Sequence, residues 1–278
     1  MTLLIALTYI IWDVDPDFFI IPFINHPIRW YGLLFALAFL ISQQIMYFIY
    51  KKDGRPASEI DTLTIYMVIA TIVGARLGHV LFYDPMHYFQ NPHEIIMVWE
   101  GGLASHGGVI GILIAIYLFA RKTNVSYLWA LDRICIAAAL TFCMIRMGNL
   151  MNSEMIGTPT SLPWGFVFVS KDNLPRHPAQ LYEAIHYFIS FIVLFYVWHR
   201  QRDRMNNGFL FSWALIIMFS FRFIDEFFKI NQAQFEDGMV LNMGQILSIP
   251  FILTGLAILI FSIGKKQERI LTDNTVDS

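Results

Sequence analysis

The sequence predicts an all-α, polytopic integral membrane protein of about seven transmembrane helices, with the N-terminus outside and the C-terminus in the cytoplasm. Three observations carry this. Of 278 residues, 56% belong to the set AVILMFWYC and only 14% are charged, where soluble domains carry roughly 25% charged residues. Mean hydropathy is +0.55, so the chain cannot cover a water-facing surface with polar groups. The apolar residues fall in long continuous runs rather than alternating ones, which favours helices over a barrel. The formal net charge of −2 offers no basic field for a nucleic acid.

Taken in order, residues 1–28 read as an exterior segment, with a short interfacial helix expected in it. No Lys or Arg precedes its apolar stretch, and Asp13, Asp15 and Asp17 follow, which argues against a secretory signal. Crossing ~30 Å of hydrocarbon takes about 20 mostly apolar residues. Seven stretches qualify: 30–50, 61–83, 106–120, 128–145, 181–198, 208–228 and 243–263. The third is short unless the glycine-rich stretch before it also enters the membrane. Residues 264–278 read as a polar cytoplasmic tail, and the whole of 1–278 as one transmembrane domain. Cys135 and Cys143, eight apart in one apolar run, suit neither a disulfide framework nor a zinc site.

Orientation follows from the basic residues. One set of connections holds eleven of them: Lys51, Lys52, Arg55, Arg121, Lys122, Arg200, Arg202, Arg204, Lys265, Lys266 and Arg269. The opposite set holds five: Arg29, Arg146, Lys171, Arg176 and Lys229. Eleven against five puts the first set in the cytoplasm.

Ionisable groups inside a membrane are costly and mark function. With this topology, Tyr31, Arg76, His79, His106, Arg146, His177, Gln180, Glu183 and Arg222 fall at one level, in the outer leaflet. Snorkelling explains a single Arg there, but not His, Glu, Asn and Gln at the same depth, so a shared polar cavity is expected. Arg222 and Glu226 are spaced i, i+4 and share a helix face. Arg146, Asn149 and Asn152 recur every third residue, with Glu154 and Gly157 in the turn that follows. An Arg beside amide donors suits a phosphate or glycerol headgroup. His106, flanked by Gly107 and Gly108, titrates near neutrality and could act as a base. Asp132 and Arg133, towards the inner end of their helix, read as structural.

The motifs Arg29-Trp30-Tyr31-Gly32, Gly74-Ala75-Arg76-Leu77-Gly78, His106-Gly107-Gly108, the segment from Arg146 to Gly157, His177-Pro178-Ala179-Gln180-Leu181-Tyr182-Glu183 and Arg222-Phe223-Ile224-Asp225-Glu226 together resemble the prolipoprotein diacylglyceryl transferase family of bacterial membranes. The resemblance runs from the first expected helix to the sixth. It implies an enzyme of the bacterial cytoplasmic (inner) membrane, its active site facing the outer leaflet. Such an enzyme moves the diacylglyceryl group of phosphatidylglycerol to the lipobox cysteine thiol in the signal peptide of a preprolipoprotein and releases glycerol phosphate. It implies His106, Arg146 and Arg222 as catalytic residues. It implies Tyr31, Asn149, Glu154, Gly157 and Glu226 as the headgroup site, to which the reading of the polar residues adds Arg76, Arg146 and Asn152 as part of the site and its support. His79 departs from the family pattern, in which that position is usually aromatic. The nucleophile belongs to the substrate, so neither cysteine is needed, and no metal or other cofactor is implied. A transporter is the rival reading, but its polar groups would cluster at the midplane within an inverted repeat, and no such repeat is visible.

Overall fold

In the computed structural model, residues 9–22, 26–231, 236 and 238–276 are described. Eight α-helices follow one another: α1 (Trp30–Lys52), α2 (Ser58–Phe82), α3 (Pro85–Gln90), α4 (Ser105–Lys122), α5 (Tyr127–Met151), α6 (Ala179–Gln201), α7 (Phe209–Asp225) and α8 (Met243–Val276). Each expected span is one of these, and α3 is an addition. Among the described residues, five helices are long and apolar enough to cross a membrane: α1, α2, α5, α6 and Met243–Gly264 of α8. By length and composition the chain is a polytopic membrane protein. α4 and α7 have 18 and 17 residues and fall outside that set. At 1.5 Å per residue α7 spans only about 25 Å, and α4 carries His106 at one end and Arg121 and Lys122 at the other.

The first 28 residues differ from expectation. No helix is described there. Instead β1 (Ile10–Trp12) pairs in parallel with β4 (Phe166–Phe168), which pairs antiparallel with β5 (Pro175–Arg176). β2 (Asp17–Ile21) and β3 (His26–Arg29) form a hairpin. Residues 1–8 of the expected interfacial segment lie outside the described residues. Two small sheets therefore correct the all-α reading. The physical reason is local: Asp13, Asp15 and Pro16 interrupt any helix, while Ile10, Ile11, Ile20 and Ile21 favour extended backbone.

The described residues fall into two compact units, one of residues 43–134 and the other of those described before 43 and after 134. In the first, α2 and α4 are clasped by small residues. Gly74 and Gly78 face Gly107 and Gly111 so closely that a Cβ on Gly107 would lie 2.3 Å from the Gly74 carbonyl oxygen. This is the small-xxx-small solution for helices in lipid, where close backbone contact replaces hydrophobic driving force. Arg133 pairs with Asp53 at 2.8 Å and its guanidinium lies 4.2 Å from the Trp129 ring centroid.

In the second unit, the Trp12 indole donates to the Leu150 carbonyl at 3.1 Å, satisfying one of the orphan acceptors at the end of α5. Trp12 joins Leu150, Phe166 and Phe168 in an apolar cluster. Arg176 donates to Asp172 at 2.9 Å and to the Gly157 carbonyl at 3.2 Å. That guanidinium holds the Asp172 carboxyl below its usual range.

The α2–α4 clasp is testable. Gly107→Val should destabilise the protein by about 1–3 kcal/mol, the range for overpacking. Gly32→Ala, with nothing within 4 Å of its added Cβ, should have little effect. Thermal unfolding in detergent measures both, and equal melting of Gly107→Val and wild type would refute the clasp.

Candidate active site

α5 does not stop where its hydropathy does. Helical hydrogen bonding persists past Ile145 to Met151, which puts Arg146 and Asn149 one turn apart at the end of the helix. Arg146 Nη1 donates to Asn149 Oδ1 at 3.1 Å. Asn149 Nδ2 donates to Glu154 Oε2 at 3.1 Å and Asn152 Nδ2 to Glu154 Oε1 at 3.2 Å. Glu154 thus collects two amides and fixes the donor side of both Asn residues. The turn that achieves this is strained. Ser153 and Met155 have φ of +51° and +58°, a region that costs a non-glycine residue on the order of 1–3 kcal/mol. The Gln180 side-chain amide holds the turn by donating to the Glu154 carbonyl. Gly157 follows where three backbones meet: a Cβ there would fall 2.4 Å from the His177 carbonyl oxygen and 2.6 Å from that of Phe228. Tyr31 packs on Gly148, whose added Cβ would lie 2.9 Å from the Tyr31 ring.

Opposite Arg146, α6 and α7 run antiparallel and are zipped by charge. Glu183, 1% exposed, forms an ion pair with Arg146, Nε to Oε2 at 3.0 Å, and accepts from Lys229 Nζ at 3.3 Å through Oε1. Lys229, 2% exposed, also reaches Glu226 Oε1 at 2.8 Å. Arg222 lies 3.6 Å from the same Glu226 oxygen and touches the Tyr187 hydroxyl. The second Glu226 oxygen accepts from Asn242 at 3.3 Å. Asn242 and Gln245 cap α8 reciprocally, each side chain bonding the other's backbone N–H at 2.9 and 3.1 Å, a capping-box arrangement. Gly244 gives Glu226 its room, since a Cβ there would lie 2.3 Å from the Glu226 carboxyl carbon.

Sequence reasoning missed Lys229 and left Glu183 outside the named site. Lys229 sits three residues after Glu226 and seven after Arg222, the helical spacing of one face, and that spacing was the available signal. Counting Lys229 only as a loop cation hid it.

Arg76 and His106 belong to the other unit. Arg76 is 4% exposed and commits its donors to backbone carbonyls. Nε bonds Ile95 at 3.0 Å, Nη2 bonds Glu94, and Nη1 bonds Gly101 at 2.6 Å and Gly102 at 3.3 Å. Four of its five N–H groups thus pin residues 94–102, a positional task. His106 is exposed on the first turn of α4. Its ring lies 5.8 Å from Tyr83, near parallel, and 5.6 Å from Phe82, edge-on.

Two features define the chemistry. Among the described residues, Arg146 Nη2 donates to no protein group, and Arg222 keeps one long ion pair and its Tyr187 contact. Both guanidiniums therefore keep donors unused by the protein, while Glu183 and Glu226 pair with them. This is a helical membrane protein with two arginines, Arg146 and Arg222, that keep unused donors. A family model described as "Prolipoprotein diacylglyceryl transferase" matches residues 18–261, and the chain belongs to that family. Proteins named phosphatidylglycerol–prolipoprotein diacylglyceryl transferase are similar to it. That of Tolumonas auensis is 46% identical, covering 92% of this chain and 98% of the relative. That of Chloroherpeton thalassium is 46% identical, covering 94% and 97%. That of Porphyromonas gingivalis is 44% identical, covering 91% and 94%.

Lys229 supplies a test of the charge network. Lys229→Met strands two buried carboxylates and should cost about 3–5 kcal/mol of stability, as when one partner of a buried pair is removed. Lys229→Arg should lose much less. Denaturant unfolding in detergent distinguishes them, and an unchanged midpoint for Lys229→Met would refute the network's role.

Proposed function

We propose that this chain transfers the diacylglyceryl group of phosphatidylglycerol to the thiol of a lipobox cysteine in a preprolipoprotein, with glycerol phosphate leaving. Beyond family membership, the observation that supports it is the pair of arginines with unused donors, Arg146 and Arg222. The thiol sulfur attacks the glyceryl carbon bonded to phosphate. The carbon–oxygen bond breaks, and its electron pair ends on the phosphate. Charge thus moves from sulfur to phosphate, and Arg146 and Arg222 stabilise it where it arrives. Glu183 and Glu226 set the two guanidiniums before substrate binds, and Asn149, Asn152 and Glu154 order the headgroup side. Tyr31 and Gly157 shape the same unit. Holding lipid and peptide together supplies effective molarity. His106 is proposed as a catalytic contact, as proton acceptor or as hydrogen-bond partner, on the family resemblance.

In a transfer assay with phosphatidylglycerol micelles and a lipobox peptide, Arg146→Ala and Arg222→Ala should each lose at least ~100-fold, the typical loss for one preorganised oxyanion donor. Arg→Lys should rescue poorly, because an ammonium lacks the fork. Cys135→Ala and Cys143→Ala should remain active. Full activity in Arg146→Ala would sink the assignment. In the same assay a His106→Gln deficit that shrinks as pH approaches ~8.5, where free thiols ionise unaided, marks a base. A deficit independent of pH marks a positioning group.

We further propose seven spans in a bacterial cytoplasmic membrane, N-terminus out and C-terminus in, with the site facing the outer leaflet. The eleven-to-five distribution of basic residues supports it. A reporter active only in the cytoplasm should work when fused after Ser278 and stay silent in the loop at Asn91. The reverse pattern would overturn this topology.

A further inference from the structure

Glu183 on α6 and Glu226 at the end of α7 are joined through Lys229. Four residues further into each helix lie Tyr187 and Arg222, one turn on and therefore on the same faces. α5 keeps step with them. Arg146 pairs with Glu183 at 3.0 Å, and one turn back along α5 the Phe142 ring meets the Tyr187 ring at 5.5 Å between centroids. Tyr187 thus sits one turn inside the charge network where α5, α6 and α7 meet, its hydroxyl bonded to the Arg222 side chain. His186, next to it in sequence, turns instead to Asp225. Its Nδ1 lies 2.9 Å from Asp225 Oδ2, a carboxylate only 3% exposed, and its ring is stacked on Phe221, 4.2 Å between centroids and 7° between planes. Those two contacts pin the rotation of α6, and with it the direction of Tyr187. The apolar cavity in front of His186, about 380 Å³ and lined in part by Leu162, Trp164 and Ile224, includes neither Arg146 nor Arg222.

The direction of the Tyr187–Arg222 bond follows from the chemistry of the two groups. A guanidinium can only donate, so the phenol oxygen accepts, and the O–H proton is left for another acceptor. Among the described residues none takes it. Glu183, one turn away on the same helix, acts on the hydroxyl through its charge alone, and its two oxygens face Lys229 and Arg146. The hydroxyl also stands in the field of Arg146. A donor whose oxygen is already bonded to one cation is polarised by that bond and strengthened by it. An anionic oxygen is the partner that Tyr187, Arg146 and Arg222 can all share, since each has a donor to give it.

We propose that Tyr187 is a further catalytic residue, whose hydroxyl donates to the phosphate of phosphatidylglycerol alongside Arg146 and Arg222 and holds it as it leaves. This rests on the transferase reading above. The thiol loses its proton to a base, its electron pair forms the carbon–sulfur bond, the carbon–oxygen bond breaks, and that pair settles on a phosphate oxygen. Tyr187 transfers no proton and keeps its own O–H bond throughout. Its contact tells most at the end of the step. The diester carries one negative charge and the departing monoester roughly one and a half to two, so a donor aimed at the phosphate contributes more after the bond breaks than before. A phenol suits the place. It adds no charge beside two guanidiniums and Lys229, where a further cation would be repelled. Its ring, held against Phe142, fixes the hydroxyl without the flexible stem of a lysine.

The test uses the full chain in phosphatidylglycerol micelles with a lipobox peptide, rates being taken per folded protein. Tyr187→Phe removes one oxygen and keeps the ring against Phe142, so its melting temperature should match wild type. It should lose ~10–100-fold in kcat, the range for one hydrogen bond to a charged group. KM for phosphatidylglycerol should change little, as for an interaction that strengthens in the transition state. Inhibition by added glycerol phosphate should weaken. A hydroxyl that only steadied Arg222 would have no task once that side chain is gone, whereas one that touches the phosphate keeps its own. In an Arg222→Ala background, Tyr187→Phe should therefore cost at least a further ~10-fold. Full kcat in Tyr187→Phe, a loss confined to KM, undiminished inhibition by glycerol phosphate, or no further loss in the Arg222→Ala background overturns the proposal. If the wild-type chain does not lipidate the peptide, the transferase reading itself has failed. If Arg222→Ala is inactive while Tyr187→Phe is unimpaired, only the present proposal has.

Discussion

Lys229 buried between Glu183 and Glu226 is the interaction on which the rest of the site depends. Two carboxylates at 1% and 6% exposure would repel each other without a cation between them. Once Lys229 neutralises them, each has capacity left to hold an arginine by its stem, Glu183 taking Arg146 Nε and Glu226 standing near Arg222. Desolvating such a network is expensive, and an apolar core of the same volume would often be as stable. Its return is geometry. In the proposed reaction, guanidiniums held in place in advance need little reorganisation as charge arrives.

The backbone around this network is shaped to admit it. Gly157, Gly244 and Gly148 sit where an added methyl group would strike a carbonyl, the Glu226 carboxylate or the Tyr31 ring. Ser153 and Met155 adopt left-handed conformations to turn Glu154 back towards Asn149 and Asn152. Strain of this kind persists only where surrounding contacts over-determine it. Here those contacts are the Gln180 amide, the β-bridge of Gly157 with Lys229 and the Arg176 bond to the Gly157 carbonyl. Lys229 thus ties the charge network and the strained turn to one short stretch of backbone.

How much of this was legible in the sequence varied with the range of the interaction. The helices were, because a span is a local property of some 20 consecutive residues. The ends were less so. Hydropathy falls at Ile145 while helical bonding runs to Met151, since Asn149 and Gly148 are polar or small yet helix-compatible. Strand β1 was unreadable because its partner, Phe166–Phe168, lies far along the chain, and three apolar residues alone do not separate strand from helix. Arg146, Arg222 and Glu226 were legible as intramembrane charges at helical spacing. Arg76 was legible as a buried cation but not in its task, because carbonyl acceptors have no sequence signature. Lys229 was hidden by its place just past a helix end, where a basic residue ordinarily counts only for topology.

The same distinction explains why the His186–Asp225 pair drew no notice. Asp225 sits inside the Arg222–Glu226 motif between charges with clearer tasks, and His186 lies within an apolar helix, where a lone imidazole reads as a packing residue. Only the pairing of two helices reveals that it has an oriented ring, a buried carboxylate and an apolar cavity in front of it. Transfer from phosphatidylglycerol to a thiol makes two separate demands, stabilising a leaving phosphate and disposing of a proton. A single cationic cluster meets the first and works against the second, because surrounding arginines lower the basicity of any imidazole placed among them.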